Sequence, residues 1–263
     1  MIDKKYFDLN KHALSNQSEY ISAQPFPHIV IDNFFDENVL NKILEDFPNN
    51  IDENGENYDN KAEKKLTLND VSKLSRTTVE FINFLNSSIF IKYLQKITSI
   101  KEFLIPDPYL IGGGLHELRN EGFLNIHSDF NRHPKMKLDR RLNILIYLNK
   151  DWKDEFGGQL QLWDKNMENC IKNIIPSFNR MVIFSTTDTS YHGNPIKVNH
   201  PTFISRKSIA MYYYSNGRPH SENELGDHST IFRKRPDSKD VDGNVYFKKI
   251  FGKIFYRIKK KVD

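Results

Sequence analysis

One cysteine, Cys170, stands in 263 residues. A lone thiol excludes an internal disulfide framework and fits a reducing compartment. No run of 18 or more apolar residues occurs, so nothing reads as a membrane-spanning helix. The opening MIDKKYFDLNKHALSNQ lacks the apolar core of a signal peptide. The expected location is therefore cytoplasmic. Excess charge is also scarce: 38 Lys and Arg against 34 Asp and Glu leave a formal net of +4. The basic residues are scattered except at the C-terminal end, so no nucleic-acid partner is expected. Repeats and low-complexity tracts are missing as well. Aromatic residues are what the chain has in quantity, with 19 Phe and 12 Tyr, enough for a large aromatic core.

Along the chain the pattern changes once. Residues 1–20 are polar and read as a loose lead-in. FPHIVIDNFF reads as a short strand, and DENVLNKILEDFP as a helix with Asp36 as N-cap and Pro48 as stop. Residues 49–65, NNIDENGENYDNKAEKK, read as a polar surface loop. VEFINFLNSSIFIKYLQKI has helical spacing, with Ser87 or Ser88 able to cap a second segment. From about residue 108 short strands follow one another: PYLIGGGLHEL, GFLNIH, RRLNILIYLN, GGQLQLWD, RMVIFS and RKSIAMYYYS. Helices followed by many short strands predict an α+β protein with a β-sandwich or barrel core. One domain is expected over 21–235, with a helical part at 21–105 and a β-barrel core at 106–216. Residues 236–263 are expected to form a basic amphipathic helix.

The stretch GFLNIHSDFNRH places His127 and Asp129 two residues apart, on one side of an extended strand. Alone, that pair is equally two polar residues at a strand end. A second histidine, His192 in TDTSYHGNP, follows the apolar strand RMVIFS. Two histidines and one carboxylate compose the facial triad that holds non-haem Fe(II) and leaves positions open. His133 and His200 lie beside prolines and read as surface loop. His28 and His116 lack an acidic partner two residues on, and His12, His220 and His228 sit in polar flanks. Arg206 opens RKSIAMYYYS, sharing a face with Ser208, Ala210 and Tyr212. An arginine on an inward face is costly unless paired, and its planar guanidinium suits a carboxylate. An edge-strand arginine in solvent is the alternative.

RRLNILIYLNKDWKDEFGGQLQLWD, followed by RMVIFS, YHGNP and RKSIAMYYYS, resembles the catalytic domain of Fe(II)/2-oxoglutarate-dependent dioxygenases of the prolyl 4-hydroxylase-like type. The YLNKDW…GG.L.L segment is similar to oxygen-sensing prolyl hydroxylases, and FPHIVIDNFF to bacterial and phage members. The likeness spans roughly residues 25–235. It implies a double-stranded β-helix, a jelly-roll or cupin-like barrel with flanking helices. His127, Asp129 and His192 would ligate Fe(II). Arg206 and Tyr147 would bind the distal carboxylate of 2-oxoglutarate, and Ser208 would add a hydrogen bond. Arg140 falls where members place a substrate-contacting side chain. Gly157 and Gly158 would form a structural turn. O₂ would be the oxidant, with ascorbate as the in vitro reductant and succinate and CO₂ as co-products. Because Asp129 is present, the outcome implied is hydroxylation rather than halogenation.

The substrate stays open between prolyl or peptide, free amino acid and other small molecules. The loop NRHPKMKLDRR, with Arg132, Lys135, Lys137, Arg140 and Arg141, is either a site for an acidic group or a solvated loop. At the C-terminus, Phe247, Ile250, Phe251, Ile254, Phe255 and Ile258 recur at helical spacing among lysines. That stripe suits an anionic membrane surface at the inner face of a membrane, or docking on the domain or on a second copy as a homodimer. Two rivals to an active hydroxylase are a non-catalytic sensor binding 2-oxoglutarate or metal, and a cupin-type isomerase. The latter would need neither Tyr147 nor Arg206.

Overall fold

Apolar residues at every second position of the strand region give a sheet with two buried faces, and helices cover one of them. The computed structural model describes residues 1–243. In chain order the elements are α1 (Leu9–Ser22), β1 (His28–Asp32), α2 (Glu37–Glu45), α3 (Ile51–Asn54), β2 (Glu56–Asp59), β3 (Glu63–Leu68), α4 (Arg76–Leu85) and α5 (Ser88–Thr98). Then come β4 (Ile105–Pro106), β5 (Gly114–Leu118), β6 (Phe123–Ser128), β7 (Asp139–Tyr147), β8 (Leu160–Trp163) and β9 (Cys170–Ile174). β10 (Arg180–Ser185), β11 (His192–Asn194), β12 (Arg206–Ser215) and β13 (Ile231–Phe232) complete the set.

The strands form one antiparallel sheet in the order β1-β10-β7-β12-β5-β3-β6-β11-β8-β9, and β13 adds to β6. The sheet curls until its far end meets its middle. Leu160 and Leu162 of β8 pack with Tyr147 of β7 and with Val182 and Phe184 of β10. The opposite parity faces outward: Ile144 and Ile146 of β7, Met181 and Ile183 of β10, and Ile209, Met211 and Tyr213 of β12 join the helices in the main core. This is the jelly-roll, double-stranded β-helix architecture with flanking helices. Period-two alternation decides which residues enter the barrel.

Local chemistry sets the helix ends. Asp36 caps α2, accepting from the amides of Asn38 and Val39, and the helix closes before Pro48. Ser87, rather than Ser88, caps α5.

The chain departs from the sequence reading in three places. The lead-in is ordered: α1 is capped by Asp8 and docks on α5. Its Ala13 and Tyr20 are buried, and Gln17 donates to the Lys96 carbonyl. Only a thin stripe of α1 is apolar, so the helix exists through docking rather than through its own pattern. Residues 49–65 are not a surface loop but carry α3 and the start of a hairpin. There Asn60 Oδ1 accepts from the amides of Ala62 and Glu63 and forms the turn, and β3 then pairs with both β5 and β6. His133, read as surface, is fully buried. Its Nε2 lies 3.1 Å from Asp107 Oδ1, a partner 26 residues away. The amphipathic C-terminal stripe at 244–263 lies outside the described residues. Among the described residues, no helix is long and apolar enough to cross a membrane.

Candidate metal and carboxylate site

β6 and β11 are antiparallel neighbours, and their register sets His127 directly opposite His192. The two rings lie 4.5 Å apart. Asp129, just past the end of β6, places Oδ1 3.5 Å from His127 Nε2 and Oδ2 3.3 Å from His192 Nε2. One ligand atom from each of the three residues falls within 4.8 Å of the others. Each ring is oriented from behind. His127 Nδ1 lies 2.8 Å from the Asn125 carbonyl, and His192 Nδ1 lies 2.9 Å from that of Ser190. A carbonyl only accepts, so both Nδ1 atoms carry the proton and both Nε2 lone pairs face inward, as metal binding requires.

The charge state suits a cation too. Burial, with His192 beside it, pushes His127 below its ordinary value, so the ring is neutral near pH 7. Burial alone would raise Asp129, but the Arg140 guanidinium and the two imidazoles outweigh it and hold the carboxyl well below the usual range. Arg140 is fully buried, with one NH2 3.1 Å from Asp129 Oδ2. Its Nε and NH2 donate to Asn143 Oδ1, and Asn143 Nδ2 donates to Asp129 at 2.7 Å. The guanidinium sits 3.5 Å from the Tyr212 ring centroid and 4.5 Å from that of Phe130. In this structure Arg140 thus supports Asp129 and also lines the outer pocket, with NH1 buried and without a hydrogen-bond partner, a placement compatible with the substrate contact expected from the sequence. Asn143 went unnoticed, although it lies on the inward face two and four residues before Leu145 and Tyr147. A polar residue at that parity was the available signal.

Deeper in the barrel the polar groups have few partners. Arg206 is buried; its Nε donates to the Gly158 carbonyl at 2.8 Å and NH1 lies 3.4 Å from Ser208 Oγ. No carboxylate pairs with it among the described residues, and burial draws its pKa down. The guanidinium carbon lies 4.9 Å from the Tyr147 ring centroid, and the buried Tyr147 hydroxyl has no hydrogen-bond partner. An unpaired buried cation beside an unpaired hydroxyl costs stability unless an anion completes them. Together they form a socket of the right chemistry for a carboxylate. Gly158 makes room for it: at φ +70°, a Cβ there would meet Arg206 Cδ at 2.9 Å. One cavity touches His127, Asp129, His192, Arg206 and Ser208, which joins the socket to the triad.

Above the triad, Phe232 of β13 pairs with His127 in register and lays its ring 5.6 Å away. Phe232 and Thr230 line the outer pocket with the β2–β3 hairpin. Neither strand was legible in the sequence.

Comparison with known proteins agrees with this geometry. Residues 113–214 match the model of the 2OG-Fe(II) oxygenase superfamily. A mouse (Mus musculus) protein, prolyl 3-hydroxylase OGFOD1, is 32% identical over 79 residues, which is 28% of this chain and 14% of that protein. The chain thus spans only a small part of that relative. Among solved structures, a Trichoplax adhaerens prolyl hydroxylase in complex with a hypoxia inducible factor oxygen degradation domain peptide superimposes with a TM-score of 0.57. Identity is 16%, over 86% of this chain and 98% of that one. HygX from Streptomyces hygroscopicus, with nickel and 2-oxoglutarate bound, gives a TM-score of 0.52 at 11% identity, over 88% and 97%. The segment that carries the triad and Arg206 is thus similar to the 2OG-Fe(II) oxygenase superfamily, and the fold is that of the prolyl hydroxylase structures.

Proposed function

We propose that this chain is an Fe(II)- and 2-oxoglutarate-dependent hydroxylase acting on a C–H bond of a peptide or small molecule. One observation carries the reading: inward-facing Nε2 atoms and a carboxylate converge in the same cavity as an unpaired buried guanidinium. His127, Asp129 and His192 hold the metal. Arg206, with the Tyr147 and Ser208 hydroxyls, holds the distal carboxylate of the cosubstrate. When bound, Fe(II) and 2-oxoglutarate supply the oxidising chemistry, in which O₂ converts 2-oxoglutarate to succinate and CO₂ and hydroxylates the substrate.

The chain's own residues do the positioning. Neutral imidazoles and one ionised carboxylate give the ion a ligand set of charge −1. Arg140 and Asn143 keep Asp129 ionised and aimed. Leu145, Leu160 and Phe184 line the cavity and exclude water from it.

The test is succinate formation by purified protein with Fe(II), ascorbate, O₂ and pooled candidate substrates. Turnover is expected to need Fe(II) and to fall to background in His127→Ala and Arg206→Ala. Failure to bind Fe(II) and 2-oxoglutarate under anaerobic conditions would overturn the reading.

A further inference from the structure

The outer pocket has a wall that the triad and the carboxylate socket do not use. β3 turns Glu63, Lys65 and Thr67 to the barrel side, while Leu66 and Leu68 join the helix-facing core. Glu63 is 2% exposed and lines the same pocket as His127 and Asp129. One of its oxygens, Oε2, sits 3.0 Å from Lys65 Nζ; the other, Oε1, is buried with no partner. A buried carboxylate oxygen without a donor is costly, and evolution of a merely structural ion pair does not require it. Across the hairpin Glu56, exposed, lines the pocket too and accepts from the Tyr58 hydroxyl. Two carboxylates against one ammonium leave this wall with a formal charge of −1. Arg140 and Asp129 neutralise each other below it.

In the basic loop after Asp129, two arginines already have carboxylate partners. Arg132 pairs with Asp227, and Arg141 with Glu102 and Glu222. Two buried groups of this cleft lack partners, Glu63 Oε1 on the hairpin wall and Arg140 NH1 below it, and on the wall the unmet demand is for a cationic hydrogen-bond donor.

We infer that Glu63, backed by Glu56, selects substrates that bring an ammonium or guanidinium group to the metal side of the cleft. The inference rests on the hydroxylase reading. Glu63 acts here as a specificity determinant: Oε1 accepts from the substrate cation while Lys65 and Tyr58 hold the hairpin wall.

The test uses the full chain loaded with Mn(II) in place of Fe(II), plus 2-oxoglutarate, because Mn(II) broadens the NMR lines of any ligand held near it. The probes are N-acetyl methylamides of lysine and arginine, their neutral counterparts norleucine and citrulline, and glutamate. Lysine or arginine amide should broaden at concentrations about tenfold or more below its neutral counterpart. In Glu63→Gln protein that still loads Mn(II) and 2-oxoglutarate, that preference should collapse to about twofold or less. The wild-type ranking alone keeps the inference falsifiable if the variant fails to fold. Equal or better binding of norleucine, citrulline or glutamate, no broadening of either cationic probe, or a preference that survives Glu63→Gln would each overturn it while leaving the hydroxylase reading intact. Protein that takes up neither Mn(II) nor 2-oxoglutarate would instead sink the hydroxylase reading, and this inference with it.

Discussion

Two buried arginines that line the barrel cavities, Arg140 and Arg206, differ in one respect. Arg140 has a carboxylate at 3.1 Å, an amide oxygen and two aromatic faces. Arg206 has a carbonyl, a distant hydroxyl and no carboxylate. The first has its counter-charge within the chain and lacks a hydrogen-bond partner only at NH1. The second is left incomplete, and so it is tuned to something that arrives. A buried charge with its counter-charge built in reads as architecture; one without reads as a binding site.

Removing each arginine should therefore have opposite consequences. Arg140→Met strands Asp129 as a buried anion in metal-free protein and should cost about 3–5 kcal/mol in urea unfolding. Adding Asp129→Asn should recover most of that loss. If Arg140→Met alone is neutral, the network is not what holds Asp129. Arg206→Met should instead leave the ligand-free protein as stable or more stable, since it removes an unpaired buried charge. Its affinity for 2-oxoglutarate, measured by calorimetry with Mn(II) bound, should fall by about a hundredfold. A ligand-free protein weakened as much as by Arg140→Met would erase the contrast.

The smallest effect is on pH. Burial lowers His127, and it draws His116, which lines the same cavity, down to about 3. Both are neutral in the fold, yet both take a proton in the unfolded chain below its ordinary value of 6.5. The unfolded state then binds more protons, so stability is complete above that value and falls as the pH drops toward about 3. Each histidine contributes a slope of at most about 1.4 kcal/mol per pH unit. Urea midpoints between pH 7 and 5 should show this decline, and His116→Gln should flatten part of it.

The metal end was largely legible because its signals are local. His127 and Asp129 share a strand face, and inward parity identifies Arg206 and Ser208 in a single apolar strand. The helix caps at Asp36 and Ser87 are equally local. What escaped depends on partners far away in sequence. Polar residues 49–65 read as a loop because the Glu63–Lys65 pair forms only once the strand is in place, and β3 gains its backbone partners from β5 and β6. His133 reads as surface until Asp107 is placed against it. The α1 stripe is too thin to be seen without α5. Arg140 was noticed, but only its neighbours in space show that it serves Asp129.

The pairing of His192 opposite His127 carries a consequence for folding fidelity. β11 is three residues long, His192–Asn194, too short to specify its own alignment by packing. A slip of one position would turn His192 outward and bring Gly193 to the inner face, where no imidazole could be offered. The native alignment is marked at Gly193 itself, where a Cβ would sit 2.7 Å from the Asn125 carbonyl oxygen. Only the correctly aligned strand presents both imidazoles, so only that alignment gains the stabilisation a bound ion gives by mass action. The ion would thus act as a proofreader of strand alignment, rewarding the one pairing in which the chemistry is possible.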